Sequence, residues 1–330
     1  MLFDFVSSVM EKIAHLTLAY PKVFHAIVIV LSFALMVKSA DLIVNSISNY
    51  AKKLGISDYL IGILVVAIGS STPELVSSVT GAFLGEGGIV FGTIIGSNIS
   101  GLTLVVGLVA LIGKKLALKK SILEKTRADV FLLSLLPFIV MIDSHLSRID
   151  GVILVVSYFI YIGMIWGREG QAGKIRKKVM FKEIYRDGVI FLGSLIVLLL
   201  SGRWLVFSSI HLSKNIGVSP YYIALIVIGI GATMPDLSVG IRSVLSGHQG
   251  VGFGNVIGSL LMKYLLLLGT IALIKPFYFN FLMLLPAAIF SAVALLYVLK
   301  HSGKEYITWK QGLILISIYL VFIMYEWFVG

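Results

Sequence analysis

Two short stretches limit what this chain can become. Gly69-Ser70-Ser71-Thr72-Pro73-Glu74 lies inside the apolar run Leu60–Ala82, and Gly231-Ala232-Thr233-Met234-Pro235-Asp236 lies inside a second such run. Each run is long enough to cross a bilayer, where a carboxylate and a helix-breaking proline are tolerated only when protein or water surrounds them. Each proline removes a backbone donor and frees a carbonyl about one turn earlier, near Ser70 and Ala232. Glu74 and Asp236 add one carboxylate apiece, and Ser71 and Thr233 add hydroxyls. Hard cations such as calcium take this mixture of oxygens. A single intramembrane acid reads most simply as the partner of a nearby base. Two, in matching proline motifs, point to a midplane ion site in a repeat-built transporter.

The composition agrees with a membrane setting. Of 330 residues, 58% are hydrophobic and 13% are charged, about half the charged share of a soluble domain. There is no cysteine, so disulfides and thiolate metal sites are excluded. The net charge of +11 is explained by lysines and arginines that hold loops in the cytoplasm, with no call for nucleic acid. Ten apolar segments run at about 24–50, 57–84, 88–112, 127–143, 149–167, 187–212, 219–246, 250–274, 277–299 and 309–329. The fourth is the shortest. Basic residues gather after the first, third, fifth and ninth segments, for example at Lys114, Lys115, Lys119 and Lys120 and again at Arg176, Lys177 and Lys178. A multi-pass protein of the cell membrane follows, with both termini extracytoplasmic. Residues 1–22 read as an amphipathic interfacial segment, 23–167 and 187–330 as two five-helix halves, and 168–186 as the basic cytoplasmic linker between them.

The halves repeat without a gap. A shift of 162 positions aligns Gly69 with Gly231, Pro73 with Pro235, Glu74 with Asp236, Gly92 with Gly254, Gly96 with Gly258, Ser97 with Ser259 and Gly107 with Gly269. Chance similarity among apolar segments aligns Leu, Ile and Val, but not this register of glycine, proline, serine and acid. Because five spans separate equivalent elements, the second half enters the membrane upside down. The expected fold is therefore all-α, ten transmembrane helices as two inverted five-helix repeats. Gly92-x-x-x-Gly96 and Gly254-x-x-x-Gly258 let helices approach closely, and Ser97 and Ser259 follow on the crossing face. A shared site would hold the Glu74 and Asp236 carboxylates roughly 4–7 Å apart.

Gly-Ser-Ser-Thr-Pro-Glu-Leu followed by Gly-Thr-Ile-Ile-Gly-Ser-Asn-Ile, repeated as Gly-Ala-Thr-Met-Pro-Asp-Leu followed by Gly-Asn-Val-Ile-Gly-Ser, resembles the two alpha-repeats of the cation/calcium antiporters. The resemblance is specific over about 55–112 and 217–274 and topological elsewhere. It implies alternating access and exchange of calcium against sodium or protons, with no cofactor. It also implies a cation-binding set of Glu74 and Asp236, the carbonyls of Ser70 and Ala232, and the hydroxyls of Ser71, Thr233, Ser97 and Ser259.

The chain departs from that pattern where the chemistry is densest. The second acid is the shorter Asp236, and Ala232 stands where the family carries a hydroxyl. Four residues past Ser97 and Ser259, where the family carries an amide or acid, stand Gly101 and Lys263. Snorkelling to the interface would explain a lone lysine, but the register of Lys263 argues for the interior. There it becomes a built-in counter-ion whose proton is exchanged for an arriving cation. Three functions stay open: a cation antiporter with altered coupling, a proton- or sodium-handling homologue that no longer carries calcium, and a non-transporting membrane scaffold or sensor. The partners expected are the bilayer and inorganic cations. No nucleophile–base order, zinc motif or P-loop suggests an enzyme. The six histidines fall on separate segments with no metal-ligand spacing and are expected at surfaces or interfaces.

Overall fold

The computed structural model describes residues 20–53, 70–117, 120–169, 181–245, 249–301 and 306–329. The amphipathic segment expected over residues 1–22, most of the linker at 168–186 and the first half of the segment 57–84 lie outside them.

The described chain is almost wholly helical. The first half contains α1 (Pro21–Lys53), α2 (Thr72–Phe83) and α3, which runs from Gly87–Ser100 through Gly101–Val105 to Val106–Gly113. Strand β1 (Lys115–Ala117), α4 (Lys120–Val140), β2 (His145–Leu146) and α5 (Arg148–Glu169) complete it. The second half opens with α6 (Phe181–Ile216). Next come α7, built of Pro220–Tyr222, Ile223–Ile228 and Gly229–Ala232, and α8 (Met234–Leu245). Helix α9 runs through Gln249–Leu261, Met262–Leu267 and Leu268–Ile274. Strand β3 (Phe277–Tyr278), α10 (Phe281–His301), β4 (Tyr306–Thr308) and α11 (Trp309–Val329) follow.

The sequence offset reappears in the backbone. Helix α2 starts at Thr72 and α8 at Met234, α3 at Gly87 and α9 at Gln249, each 162 residues later. Both α3 and α9 loosen into a π turn at the same register, Gly101–Val105 and Met262–Leu267. Strand β1 pairs antiparallel with β4, and β2 with β3. Since β3 is the offset counterpart of β1, and β4 of β2, exchanging the halves exchanges the two ribbons.

Eight described helices are long and apolar enough to cross a membrane. The fourth expected span is not among them. Charged Lys120, Glu124, Lys125, Arg127 and Asp129 occupy the front of α4, so only its later part is apolar. Burial separates centre from rim: 83% of the apolar stretch of α3 and 78% of that of α9 is enclosed, against 28% for α1 and α11. The central pair carries about half of the main core, including Phe91, Ile94, Ile99, Leu260, Leu265 and Leu268.

Glycine sets the central crossings. A methyl group at Gly96 would collide with the Leu225 carbonyl, and one at Gly92 with the Tyr221 carbonyl and Ala224, so only hydrogen lets α3 seat on α7. Two other crossings match at the offset. Gly107 of α3 lies against Gly312 and Ile316 of α11, and Gly269 of α9 against Gly151 and Val155 of α5. On the rim, α1 meets α6 through rings. His25, expected at a surface or interface, is only 5% exposed; it stacks on His211 with centroids 5.1 Å apart, and Phe207 packs beside both. Among the described residues no cluster of His, Asp and Glu has the makings of a three-ligand metal centre.

Candidate functional site

The site forms where two helices restart. Ser71 precedes α2, with Pro73 in its first turn, and Thr233 separates α7 from α8, with Pro235 likewise placed. Proline lacks an N–H that the first turn would leave unbonded anyway, so it starts a helix readily and cannot continue one. Each proline therefore marks the start of a new helical run, with Ser71 just ahead of α2 and the single residue Thr233 between α7 and α8. Glu74 and Asp236 fall in the first turns of α2 and α8. There the unpaired N–H groups and the helix dipole favour negative charge. Local chemistry thus explains how two carboxylates stand in the protein interior.

Helix α9 closes the site. Glu74, Asp236 and Lys263 are each at most 1% exposed. Lys263 Nζ lies 3.2 Å from Glu74 Oε1 and 3.8 Å from Asp236 Oδ2. These two oxygens are therefore at most about 7.0 Å apart, the sum of the two distances. Lys263 is the second residue of the π turn Met262–Leu267. Such turns slip one residue into a helix and often mark functional positions.

Asp236 is well served. Asn255 Nδ2 donates to its Oδ1 at 2.8 Å, and Ser259 Oγ to its Oδ2 at 3.4 Å. Ser70 Oγ donates to Asn255 Oδ1 at 3.2 Å, which ties the first broken helix to the second half. Ser100 Oγ donates to Thr233 Oγ1 at 3.3 Å and to Gly229 O at 3.1 Å, crossing in the other direction. Asn98 Nδ2 reaches Leu260 O at 3.5 Å, and these two residues are themselves 162 apart in sequence.

Glu74 is served less. Among the described residues its Oε2 has no hydrogen-bond partner, and neither have the buried hydroxyls of Ser71, Ser78 and Thr93. Burying polar oxygens without partners is costly, and Glu74 Oε2, on the carboxylate that Lys263 meets, is suited to an added cation.

Of the residues expected from sequence, Glu74, Asp236, Ser70, Ser259 and Lys263 come together directly, through Asn255 in the case of Ser70. Ser97 Oγ donates within its own turn to Ile94 O, and Thr233 Oγ1 to Ile230 O. Ala232 and Ser71 flank the breaks as expected, both fully enclosed. Sequence reasoning passed over Asn255 and Ser100. Asn255 had a signal: it is an amide at the center of an apolar helix, at the position where the first half carries Thr93.

The fold and site define a multi-pass membrane transporter, not an enzyme. The family profile described as sodium/calcium exchanger protein matches residues 24–167 and 188–328. The chain belongs to that family. It is 25% identical to the sodium/calcium exchanger MaX1 of Methanosarcina acetivorans over 345 aligned positions, covering 90% of this chain and 97% of that one. It is 29% identical to the inner membrane protein YrbG of Escherichia coli, over 75% of this chain and 79% of that one. Its fold is that of the sodium-calcium exchanger NCX_Mj in crystals soaked with 10 mM Na+ and 10 mM Sr2+. The TM-score is 0.68 and the identity 23%, over 91% of this chain and 97% of the other.

Proposed function

We propose that this protein is a secondary active antiporter that carries a divalent cation, calcium first among candidates, by alternating access, and that Lys263 replaces one coupling sodium with a proton. The carrying observation is the placement of Lys263 Nζ between the two carboxylates, 3.2 Å from one and 3.8 Å from the other. With Lys263 charged and both acids ionised the site totals −1. Without the lysine proton it totals −2, which matches a divalent ion. An arriving cation competes with the ammonium for Glu74 Oε1 and Asp236 Oδ2, so the lysine gives up its proton or swings away. Ser70, Ser71, Ala232, Thr233, Ser97 and Ser259 complete the proposed oxygen set, with the last turns of the broken helices rotating their hydroxyls inward when the ion arrives.

The architecture proposed for this cycle is ten spans in two inverted five-helix repeats, 23–167 and 187–330, joined by a cytoplasmic linker at 168–186. The shared offset of α2 with α8 and of α3 with α9, and the exchange of the two ribbons, support it. The excess of lysine and arginine after the first, third, fifth and ninth segments supports extracytoplasmic termini in the cell membrane.

Purified protein in liposomes, given radioactive calcium under an imposed pH or sodium gradient, tests the proposal. Uptake driven by the pH gradient and indifferent to sodium is expected. Sodium-driven uptake would remove the role given to Lys263. A second reading has its own support, because the ammonium already fills the space between the acids. It is a homologue that handles protons or sodium and leaves calcium behind, and proton or sodium flux with no calcium uptake would select it. Ion-dependent thermal stabilisation with no flux of any kind would instead select a sensor or scaffold.

A further inference from the structure

A third buried carboxylate, besides Glu74 and Asp236, lies on a helix that contributes nothing to the candidate cation site. Glu326, near the end of α11, is 4% exposed. Its Oε1 meets no hydrogen-bond donor among the described residues. An acid at this depth in a membrane helix is expensive unless a partner meets it.

Glu326 lines a cavity of about 510 Å³ between the α6–α7 turn, α7, α10 and α11. Tyr222 and Trp327 bring aromatic rings to its wall, Ser219 a hydroxyl, and Val227 and Met283 apolar surface. Val227, Met283 and Trp327 are also exposed on the outer face of the helices, so the mouth opens where lipid lies. A lone carboxylate beside aromatic rings is the composition that recognises an ammonium group, through charge and through the ring faces. The unpartnered oxygen narrows the choice. It needs an N–H donor, which a primary ammonium supplies and a quaternary one does not.

We propose that this cavity binds the primary ammonium headgroup of a membrane phospholipid, with the amine on Glu326 and the acyl chains running out past Val227. Helix α7 carries both this wall and, on its opposite face, the crossing against Gly92 and Gly96 that leads to Thr233. The occupant would thus brace a helix that ends at the cation site. The inference stands on the cavity and on Glu326, whatever ion the protein carries.

Full-length protein in neutral detergent, mixed with phosphatidylethanolamine, phosphatidylcholine or phosphatidylglycerol and analysed by native mass spectrometry, provides the test. The wild type is expected to retain phosphatidylethanolamine over either competitor by about tenfold, the effect of one charge-assisted hydrogen bond in a dry site. Glu326→Gln should erase that preference while keeping its thermal midpoint in detergent. Val227→Trp, which fills the mouth and leaves the acid in place, should lower retention as well. Equal retention of the three lipids by the wild type overturns the proposal, as does an undiminished preference in Glu326→Gln. Dodecylammonium supplies the same amine without a lipid. If it is retained and phosphatidylethanolamine is not, the occupant is a free amine and the proposal fails.

Discussion

The two halves of the cation site share a backbone and differ in chemistry. Helices α2 and α8 restart at the same register and present an acid in the same turn. Yet Asp236 receives Asn255 and Ser259, both from α9, while Glu74 receives Lys263 at Oε1 alone, and its Oε2 and Thr93, the counterpart of Asn255, meet no partner among the described residues. Beyond the next turn the contrast sharpens. Lys263 fills the second half's π turn, whereas at Gly101 an added Cβ would meet nothing within 4 Å. A repeat conserves geometry because close helix crossings tolerate few side chains. It leaves the residues that line the gap free to diverge. The second half supplies hydrogen bonds to its own acid and a lysine whose hydrogen bond goes to Glu74 Oε1 of the first half, which leaves Glu74 Oε2 as the oxygen still in need of a ligand. An ion would therefore bind first on the Glu74 side and displace Lys263 from there.

The largest effect is expected from the acids themselves. Glu74→Gln and Asp236→Asn should each abolish cation uptake into liposomes while the protein still purifies folded, because each removes a charge that lysine and ion contend for. Wild-type transport in either variant would make that acid structural and dissolve the idea of one shared site.

Lys263→Met comes next. Removing one member of a buried ionic group leaves the others uncompensated, at a cost of about 3–5 kcal/mol. The variant should melt well below the wild type in a metal chelator and recover when calcium is added. If one proton leaves for each divalent ion, as proposed, apparent affinity in the wild type should rise with pH, by up to about tenfold per unit. The sign follows from the exchange: higher pH removes the competitor. Lys263→Met should show a flat profile, and Lys263→Asp should gain calcium and sodium affinity. An unchanged pH profile in Lys263→Met would refute the exchange.

Asn255→Leu probes the well-served side. It deprives Asp236 Oδ1 of its amide donor, and leaving a buried carboxylate oxygen unpaired costs about 1–3 kcal/mol. A lower melting temperature is expected, with Asp236 Oδ1 then exposed to added cation. Gly101→Asn sharpens the contrast from the other half. The open space takes the side chain, so stability should hold within about 1 kcal/mol, the helix propensity of Asn exceeding that of Gly. Its amide oxygen would then add a ligand on the Glu74 side, and a several-fold rise in divalent affinity is the expected reading in a thermal-shift titration. No change would place Gly101 outside the ion's reach.

Much of this contrast was legible in the sequence. The break motifs, their register and the glycine crossings depend on residues that physics restricts strongly, namely proline, glycine and buried acid. Lys263 was legible as an interior residue only through its register, since composition alone favours an interfacial lysine. What escaped depends on tertiary packing. The π turns at Gly101–Val105 and Met262–Leu267 have no local sequence mark. Asn255 reads as one amide in an apolar helix until α8 places Asp236 beside it. The stacking of His25 on His211 requires α1 to lie along α6. Helix α4 begins at Lys120, seven residues before the apolar segment at 127–143, because charged residues extend a helix without extending its apolar part.

Thr93→Val should have the smallest effect and separates two meanings of an unpartnered oxygen. Thr93 is fully enclosed and its Oγ1 meets no donor or acceptor among the described residues. Valine has nearly the same shape and removes a hydroxyl that is costly to bury alone. If the hydroxyl is only a packing residue, the variant should be as stable as the wild type or slightly more so, and its response to cations should not move. If it belongs to the oxygen set on the Glu74 side, stability in chelator should rise while stabilisation by calcium falls by a few-fold in apparent affinity. The second outcome is the one expected here, because Thr93 occupies in the first half the place from which Asn255 reaches Asp236. The opposite signs of Thr93→Val and Asn255→Leu in chelator would then measure directly how far the two halves have diverged.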